Sequence, residues 1–166
     1  IRRVLIGGTD DNVKAFLTEF PKNWQSLVVG TFPISMTASH VEVLHKAMQA
    51  GHQAEVKREH KLIETAITAS AKGTGGAVGV ENVLSAISGH RVQTLMFKEG
   101  FVSQGIRCQA CGLITPHQLD SCPVCSGKTE KVVDVVDMAV RSVLHSGGDV
   151  EVIHESTELE QVGNIA

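Results

Sequence analysis

The sequence predicts an α/β fold that is interrupted by a small cysteine-rich insertion. Short apolar strands alternate with amphipathic helices along most of the 166 residues, which is typical of a parallel or mixed sheet covered by helices. Between residues 105 and 130 this alternation stops, and turn residues and all four cysteines take its place. We therefore expect an α/β body that carries this segment as an insertion.

Residues 1–36 predict a partial βαβ unit. Residues 3–8 are a short apolar run closed by glycines, as in a buried parallel strand. One apolar helical face follows, made of Val13, Phe16, Leu17 and Phe20. Pro21 ends that helix, and residues 27–29 predict the second strand. Such a unit cannot cover both faces of its sheet alone, so we expect the sequence to be a piece of a longer protein.

A long connecting helix is predicted over residues 37–72. Ser39 and Glu42 have the spacing of a capping box, and Gly73 is suited to a C-terminal stop. The middle of the segment is polar on nearly all sides, as in helices that bridge two bodies through solvent. Gly51 leaves a second interpretation open, in which two shorter helices are separated at this residue.

Residues 73–166 predict the main α/β domain. Apolar stripes with glycine stops predict helices around residues 80–87 and 136–144, and apolar runs predict strands at 92–97 and 150–153. Thr157 and Glu160 have the spacing that would cap a last short helix.

The four cysteines form two CxxC pairs separated by ten residues: Cys108 with Cys111, and Cys122 with Cys125. Two such turns can place four thiolates around a tetrahedral ion, and the trailing Gly112 and Gly127 suit tight turns. Because four sulfurs leave no coordination position open for water, the predicted ion is a structural Zn²⁺. Metal binding would also stabilise a segment that has little apolar content.

Other interpretations of the cysteines stay open at this point. Disulfides would require an oxidising compartment, and a redox CxxC usually occurs once, at the start of a helix. An iron–sulfur cluster needs the same four thiolates, and His117 lies within the insertion, where it could replace one of them. The compact pair of knuckles favours zinc.

Composition argues against several other classes of protein. The net charge of −3 does not predict a strongly basic nucleic-acid surface. No apolar run approaches the roughly 18 residues needed to cross a bilayer, so we expect a soluble protein without membrane contact. The glycines of residues 73–79 lack the Lys and Ser/Thr of a phosphate-binding loop, and the histidines have no evident partners. No catalytic or cofactor-binding residue is predicted.

Several stretches resemble the archaeal/eukaryotic-type class-1 peptide chain release factors, and in particular the bacterial relatives of that family. The motifs VLIGG at 4–8 and LVVGTF at 27–32 resemble the end of the family's middle domain. The motif GVENVLSAI at 79–87, with RVQTLM at 91–96, resembles a GVExxLxAL helix and the following strand of the C-terminal domain. Residues 148–153 resemble a later strand of the same domain. The chain therefore resembles the C-terminal half of such a factor.

This resemblance implies an α/β/α sandwich similar to the kink-turn-binding ribosomal proteins. A zinc-ribbon-like subdomain would be inserted into it, and the long helix and partial βαβ unit would precede it. In the family, a Gly-Gly-Gln loop of the middle domain promotes peptidyl-tRNA hydrolysis, and the last domain binds a partner GTPase and a recycling ATPase. In this sequence Gly75-Gly76 is followed by Ala77, so the resemblance carries over no catalytic residue.

The implied function is that of a non-catalytic, ribosome- or partner-binding portion of a cytoplasmic translation termination or ribosome-rescue factor. Its expected partners are the ribosome or RNA, and a translational GTPase or recycling ATPase. Two alternatives are a stand-alone RNA-binding module of the kink-binding type and an accessory part of a hydrolase whose active site lies elsewhere. Exposed strand edges in residues 1–36 also predict a homodimer through that region.

Overall fold

The computed structural model describes residues 3–166, which divide into two compact units at residues 59 and 60. One helix runs through this division. A division into two units does not test the predicted domain boundaries, which therefore stay predictions. These boundaries are 1–36, 37–72 and 73–166, with an insertion at 105–130. The first two residues of the 1–36 segment lie outside the described residues.

The N-terminal unit begins with the predicted βαβ arrangement, which is confirmed. Its elements are β1 (Val4–Gly8), α1 (Asp10–Glu19), α2 (Lys22–Gln25) and β2 (Val28–Pro33). Strands β1 and β2 pair in parallel. The buried Phe32 lies over Gly7, where a methyl group would come within 2.5 Å of the ring. The short helix α2 was not predicted, because four residues give no helical periodicity.

The long helix α3 (His40–Ala71) is continuous for 32 residues. The predicted capping box is confirmed: the Ser39 N–H donates to Glu42 Oε2 at 2.8 Å, and the Glu42 N–H donates to Ser39 Oγ at 3.3 Å. This Ser39 N–H bond also lowers the pKa of Glu42. The alternative break at Gly51 is wrong, because α3 continues through this residue without interruption.

Ser39→Ala is expected to destabilise the N-terminal unit by about 1 kcal/mol, because it removes the acceptor for the Glu42 N–H. The fluorescence of Trp24, the chain's one tryptophan, during urea unfolding measures this free energy. Gln49→Ala changes an exposed position of the same helix and serves as the near-neutral control. An equal effect of the two substitutions would contradict a capping role for Ser39.

The C-terminal unit contains the end of α3 and the remaining elements. These are α4 (Val80–Ser88), β3 (Thr94–Lys98), β4 (Gly105–Cys108), β5 (Ile114–Thr115), β6 (Thr129–Val132), α5 (Val135–His145), β7 (Asp149–Ile153) and α6 (Thr157–Gln161). Strands β3 and β7 pair in parallel, and Ile165 adds an antiparallel bridge to Phe97 on the other edge of β3.

Helices cover both faces of this small sheet. Leu95 points into a core formed mainly by α4 and α5, whereas its neighbour Met96 points into a core with Ile63 of α3 and Leu159 of α6. Burying each such side chain contributes roughly 1.5–3 kcal/mol. The predicted α/β/α architecture with a cysteine-bearing segment is confirmed.

Side-chain caps define the N-termini of two helices in this unit. The carboxylate of Asp134 accepts a 2.9 Å bond from the Val136 N–H and so starts α5 directly after the cysteine segment. The predicted pairing of Thr157 with Glu160 is wrong by one residue: Ser156 is the N-cap of α6, and its hydroxyl accepts from the Leu159 N–H at 3.1 Å. In the part of the chain that the structure describes, no helix has the length and apolar content needed to cross a membrane.

Candidate metal centre

The cysteine segment forms a three-stranded antiparallel sheet of order β5-β4-β6. We call residues 105–132 the cysteine lobe. Gly105 allows β4 to approach both β5 and the body, since a methyl group there would lie 2.3 Å from the Thr115 carbonyl oxygen within the lobe and 2.6 Å from Val135 Cγ1 of α5. Ile114 and Val132 pack against the core beneath α4 and α5, so the lobe is held on the body by apolar contact.

Residues 108–112 form the first knuckle. Cys108 is the last residue of β4, and its sulfur accepts bonds from the N–H groups of Ala110 at 3.4 Å and Cys111 at 3.5 Å. The Gly112 N–H donates to the Cys108 carbonyl oxygen at 3.0 Å, and the Cys108 N–H donates to the Leu113 carbonyl oxygen at 2.8 Å. Gly112 has a φ of 75°, which glycine adopts without strain.

Residues 122–126 form the second knuckle, which repeats this pattern of backbone bonds. The Ser126 N–H donates to the Cys122 carbonyl oxygen at 2.9 Å, and the Cys122 N–H donates to the Gly127 carbonyl oxygen at 2.9 Å. Ser126, with a φ of 57°, takes the position that Gly112 has in the first knuckle. The two CxxC turns are therefore built alike.

The role predicted for Gly127 needs correction. The left-handed residue of the second turn is Ser126, and Gly127 is required for a different reason. A methyl group on Gly127 would lie 2.9 Å from Ala110 Cβ and 3.3 Å from Cys108 Sγ, so this glycine lets the two knuckles meet. The sequence shows a glycine two residues after Cys125 but does not indicate which neighbouring atom requires it.

The two knuckles bring the four cysteine sulfurs to within 4.8 Å of one another. Two close separations cross between the knuckles, with Cys108 Sγ 3.4 Å from Cys125 Sγ and Cys111 Sγ 3.6 Å from Cys122 Sγ. A tetrahedron with metal–sulfur bonds of about 2.3 Å has edges of about 3.8 Å. The donor set therefore fits a four-coordinate ion, and the four cysteines can hold a metal.

Backbone N–H groups make the first cysteine of each knuckle the more acidic. The Cys111 N–H lowers the pKa of Cys108 to about 6, although burial of the sulfur opposes this shift. The Cys125 N–H lowers the pKa of Cys122 in the same way. The Gly127 N–H lowers the pKa of Cys125, but the neighbouring sulfurs of Cys108 and Cys111 outweigh it and raise the pKa to about 12. Four thiolates this close repel one another unless a cation lies between them.

His117, which was predicted as an alternative metal ligand, instead forms an ion pair with a carboxylate of the body. Its Nε2 atom is 3.1 Å from Glu81 Oε1 of α4, and both side chains are more than half exposed. This ion pair adds a polar contact between the lobe and the body, though a pair so exposed contributes little to stability. Of the helix histidines, His60 pairs with Glu158 at 3.1 Å, also on the surface.

Gly127→Ala is expected to weaken metal binding by at least tenfold, because the added methyl group forces the knuckles apart. Competition with a chromogenic chelator measures this affinity. Ser126→Gly is the matched control at the adjacent position. It removes a side chain from the left-handed region and should leave affinity equal or higher. Unchanged affinity in Gly127→Ala would contradict the close approach.

The first 52 residues match the sequence model of a family described as bacterial archaeo-eukaryotic release factor family 10. No curated protein matches the sequence. The match supports the predicted resemblance to an archaeal/eukaryotic-type release factor, including its bacterial relatives, over the N-terminal third of the chain.

Three solved structures are similar to this chain to different degrees. Pelota from Archaeoglobus fulgidus is 17% identical with a TM-score of 0.53, over 99% of this chain and 47% of Pelota. The C-terminal domain of a peptide chain release factor from Methanosarcina mazei is 17% identical with a TM-score of 0.49, over 78% of this chain and 93% of that domain. An archaeal translation termination factor is 16% identical with a TM-score of 0.42, over 99% of this chain and 41% of that factor. The chain thus spans about half the length of Pelota and has the fold of that part.

Proposed function

We propose that this chain is the non-catalytic, ribosome- or partner-binding portion of a translation termination or ribosome-rescue factor. The observation that carries the proposal is the match of residues 1–52 to a bacterial release factor family. The Pelota-like fold of the whole chain agrees with it. The expected site of action is the cytoplasm, on the ribosome.

The metal of the cysteine lobe is Zn²⁺ in this proposal. Four sulfur donors at tetrahedral spacing suit zinc, and they leave no position for a substrate or an activated water. The ion would be bound by Cys108, Cys111, Cys122 and Cys125, and it would hold the two knuckles together beside α4. Its role is therefore structural, and the lobe serves to shape a binding surface.

The first partner to test is the ribosome itself. A translational GTPase or a recycling ATPase is a second class of partner that the family resemblance suggests. The chain carries a net charge of −3, so indiscriminate attraction to RNA phosphates is weak, and binding to ribosomes would require a specific surface.

Co-sedimentation with purified ribosomes tests the proposal. The chain should pellet with ribosomes at about 0.15 M salt, where interactions between distant surface charges are screened. Pelleting only at low salt, or none at all, would overturn it. Structured RNA without ribosomal proteins is the competitor: if it removes the chain completely, the chain is an RNA-binding module of the kink-binding type instead.

A further inference from the structure

The four sulfurs of the lobe differ in their access to solvent. Cys108 and Cys122 are only 1% and 2% exposed, whereas Cys111 and Cys125 are exposed. Two close sulfur–sulfur separations, 3.4 Å for Cys108–Cys125 and 3.6 Å for Cys111–Cys122, each join one exposed cysteine to one buried cysteine of the other knuckle. An oxidant in solution therefore meets Cys111 or Cys125 first, and a buried sulfur of the opposite knuckle lies within 3.6 Å of each.

We propose that the metal centre is also a peroxide-sensitive thiol switch. Oxidation links Cys108 to Cys125 and Cys111 to Cys122, and it releases the metal. This inference rests on the zinc centre of the proposed function and adds a regulation to it. The oxidant belongs to the small hydroperoxides, and hydrogen peroxide is the one used to test the switch.

The chemistry balances with two molecules of peroxide for each centre. The exposed thiolate attacks one peroxide oxygen, the O–O bond breaks, and a sulfenic acid and hydroxide form. The buried thiolate of the other knuckle then attacks the sulfenic sulfur, and the second hydroxide leaves as the S–S bond forms. Each pair of thiolates loses two electrons to one peroxide. Four protons from the acid form of the buffer convert the four hydroxides of both pairs to water, and Zn²⁺ leaves because no thiolate remains.

The cross-linked product is expected to keep the lobe assembled. The Gln109 N–H donates to the Lys128 carbonyl oxygen at 3.0 Å, so a backbone hydrogen bond also joins the first knuckle to the residues that follow the second. Bonds between the knuckles preserve this contact, whereas a disulfide inside each CxxC pair would leave the knuckles free to separate. Oxidation therefore releases the metal while the lobe stays on the body. Reduction by a dithiol in the presence of added zinc restores the metal-bound state.

The sequence of the lobe allows a direct test of whether the disulfides cross between the knuckles. Trypsin cuts after Arg107 and Lys128 and yields one peptide with all four cysteines, which a protease specific for aspartate divides before Asp120. After two equivalents of peroxide, the proposal expects residues 108–119 and 120–128 in one linked species, lighter by four hydrogens than their sum. Zinc should be released in parallel, one ion per chain. Disulfides inside each CxxC pair would give two separate peptides, each lighter by two hydrogens, and would overturn the proposal.

Two further measurements separate failure of the switch from failure of the zinc centre. One zinc ion per chain before oxidation, with no release at a tenfold excess of peroxide, would refute the switch and leave the centre standing. No zinc before oxidation would refute the centre itself, and with it the switch. Protein oxidised in denaturant is the control for pairing: it should give mixed linkages, because the fold no longer selects the cross-knuckle pairs.

Discussion

Removal of the metal is expected to unfold the cysteine lobe and leave the rest of the chain folded. The lobe has one large buried aliphatic side chain of its own in Ile106, whereas the body has two apolar cores. Structural zinc sites contribute about 10–16 kcal/mol of apparent binding free energy near neutral pH, which a lobe of this size cannot replace. Residues 105–132 should therefore lose their ordered backbone when a chelator removes the ion.

Hydrogen exchange measured by mass spectrometry checks this result. Amides of residues 105–132 should exchange fast after chelation, while those of β3 and α5 keep their protection. Adding back one equivalent of zinc should restore the slow exchange and is the control for damage by the chelator. Protection of the lobe without metal, or loss of protection throughout the chain, would contradict a locally structural ion.

Gly105→Ala is expected to destabilise the C-terminal unit by about 3 kcal/mol. The added methyl group would lie 2.3 Å from the Thr115 carbonyl oxygen and 3.1 Å from Pro116 Cα. Both atoms belong to the backbone of the neighbouring strand and turn, so neither can move without breaking the β4–β5 pairing. The substitution should therefore disrupt the β4–β5 pairing inside the lobe even with metal bound, and the 2.6 Å approach to Val135 Cγ1 should also weaken the contact with the body.

Chemical unfolding followed by far-ultraviolet circular dichroism measures this loss. Gly89→Ala is the matched control, because a methyl group there meets only the flexible end of Arg91 at close range. That variant should stay within about 0.5 kcal/mol of the parent chain. Equal stability of the two variants would show that the close packing at Gly105 is not needed.

Local patterns were enough to predict most of the regular elements. The apolar stripes of α4 and α5 have a clear helical period, and their buried residues form the core that the stripes predict. The capping box of Ser39 and Glu42 has two residues at fixed spacing, so it is readable without tertiary information. The four cysteines are equally local, since each pair is made by one turn.

Contacts between distant segments could not be predicted in the same way. The role of Gly127 depends on Ala110 of the other knuckle, and the position of His117 depends on Glu81 of α4. The strand predicted at residues 92–97 begins instead at Thr94, and its edge pairs with Ile165 near the end of the chain. Each of these features is decided by a partner that is far away in sequence, so no periodicity or spacing signals it.

The likeness of the whole chain to Pelota concerns its fold, and the family match covers its first 52 residues. The structure adds the cysteine lobe, whose contact with the body through Ile114 and the Glu81–His117 pair makes it part of the surface next to α4. A partner that binds this face would meet the lobe and the helix together. Ribosome binding that weakens when the metal is removed would assign the lobe to that surface.

X-ray absorption at the zinc edge of the purified chain shows directly whether the four cysteines bind zinc. We expect one zinc ion per chain with four sulfur ligands at about 2.3 Å. A first shell that contains nitrogen or oxygen, or a preparation in which the four cysteines are present as disulfides without metal, would contradict it.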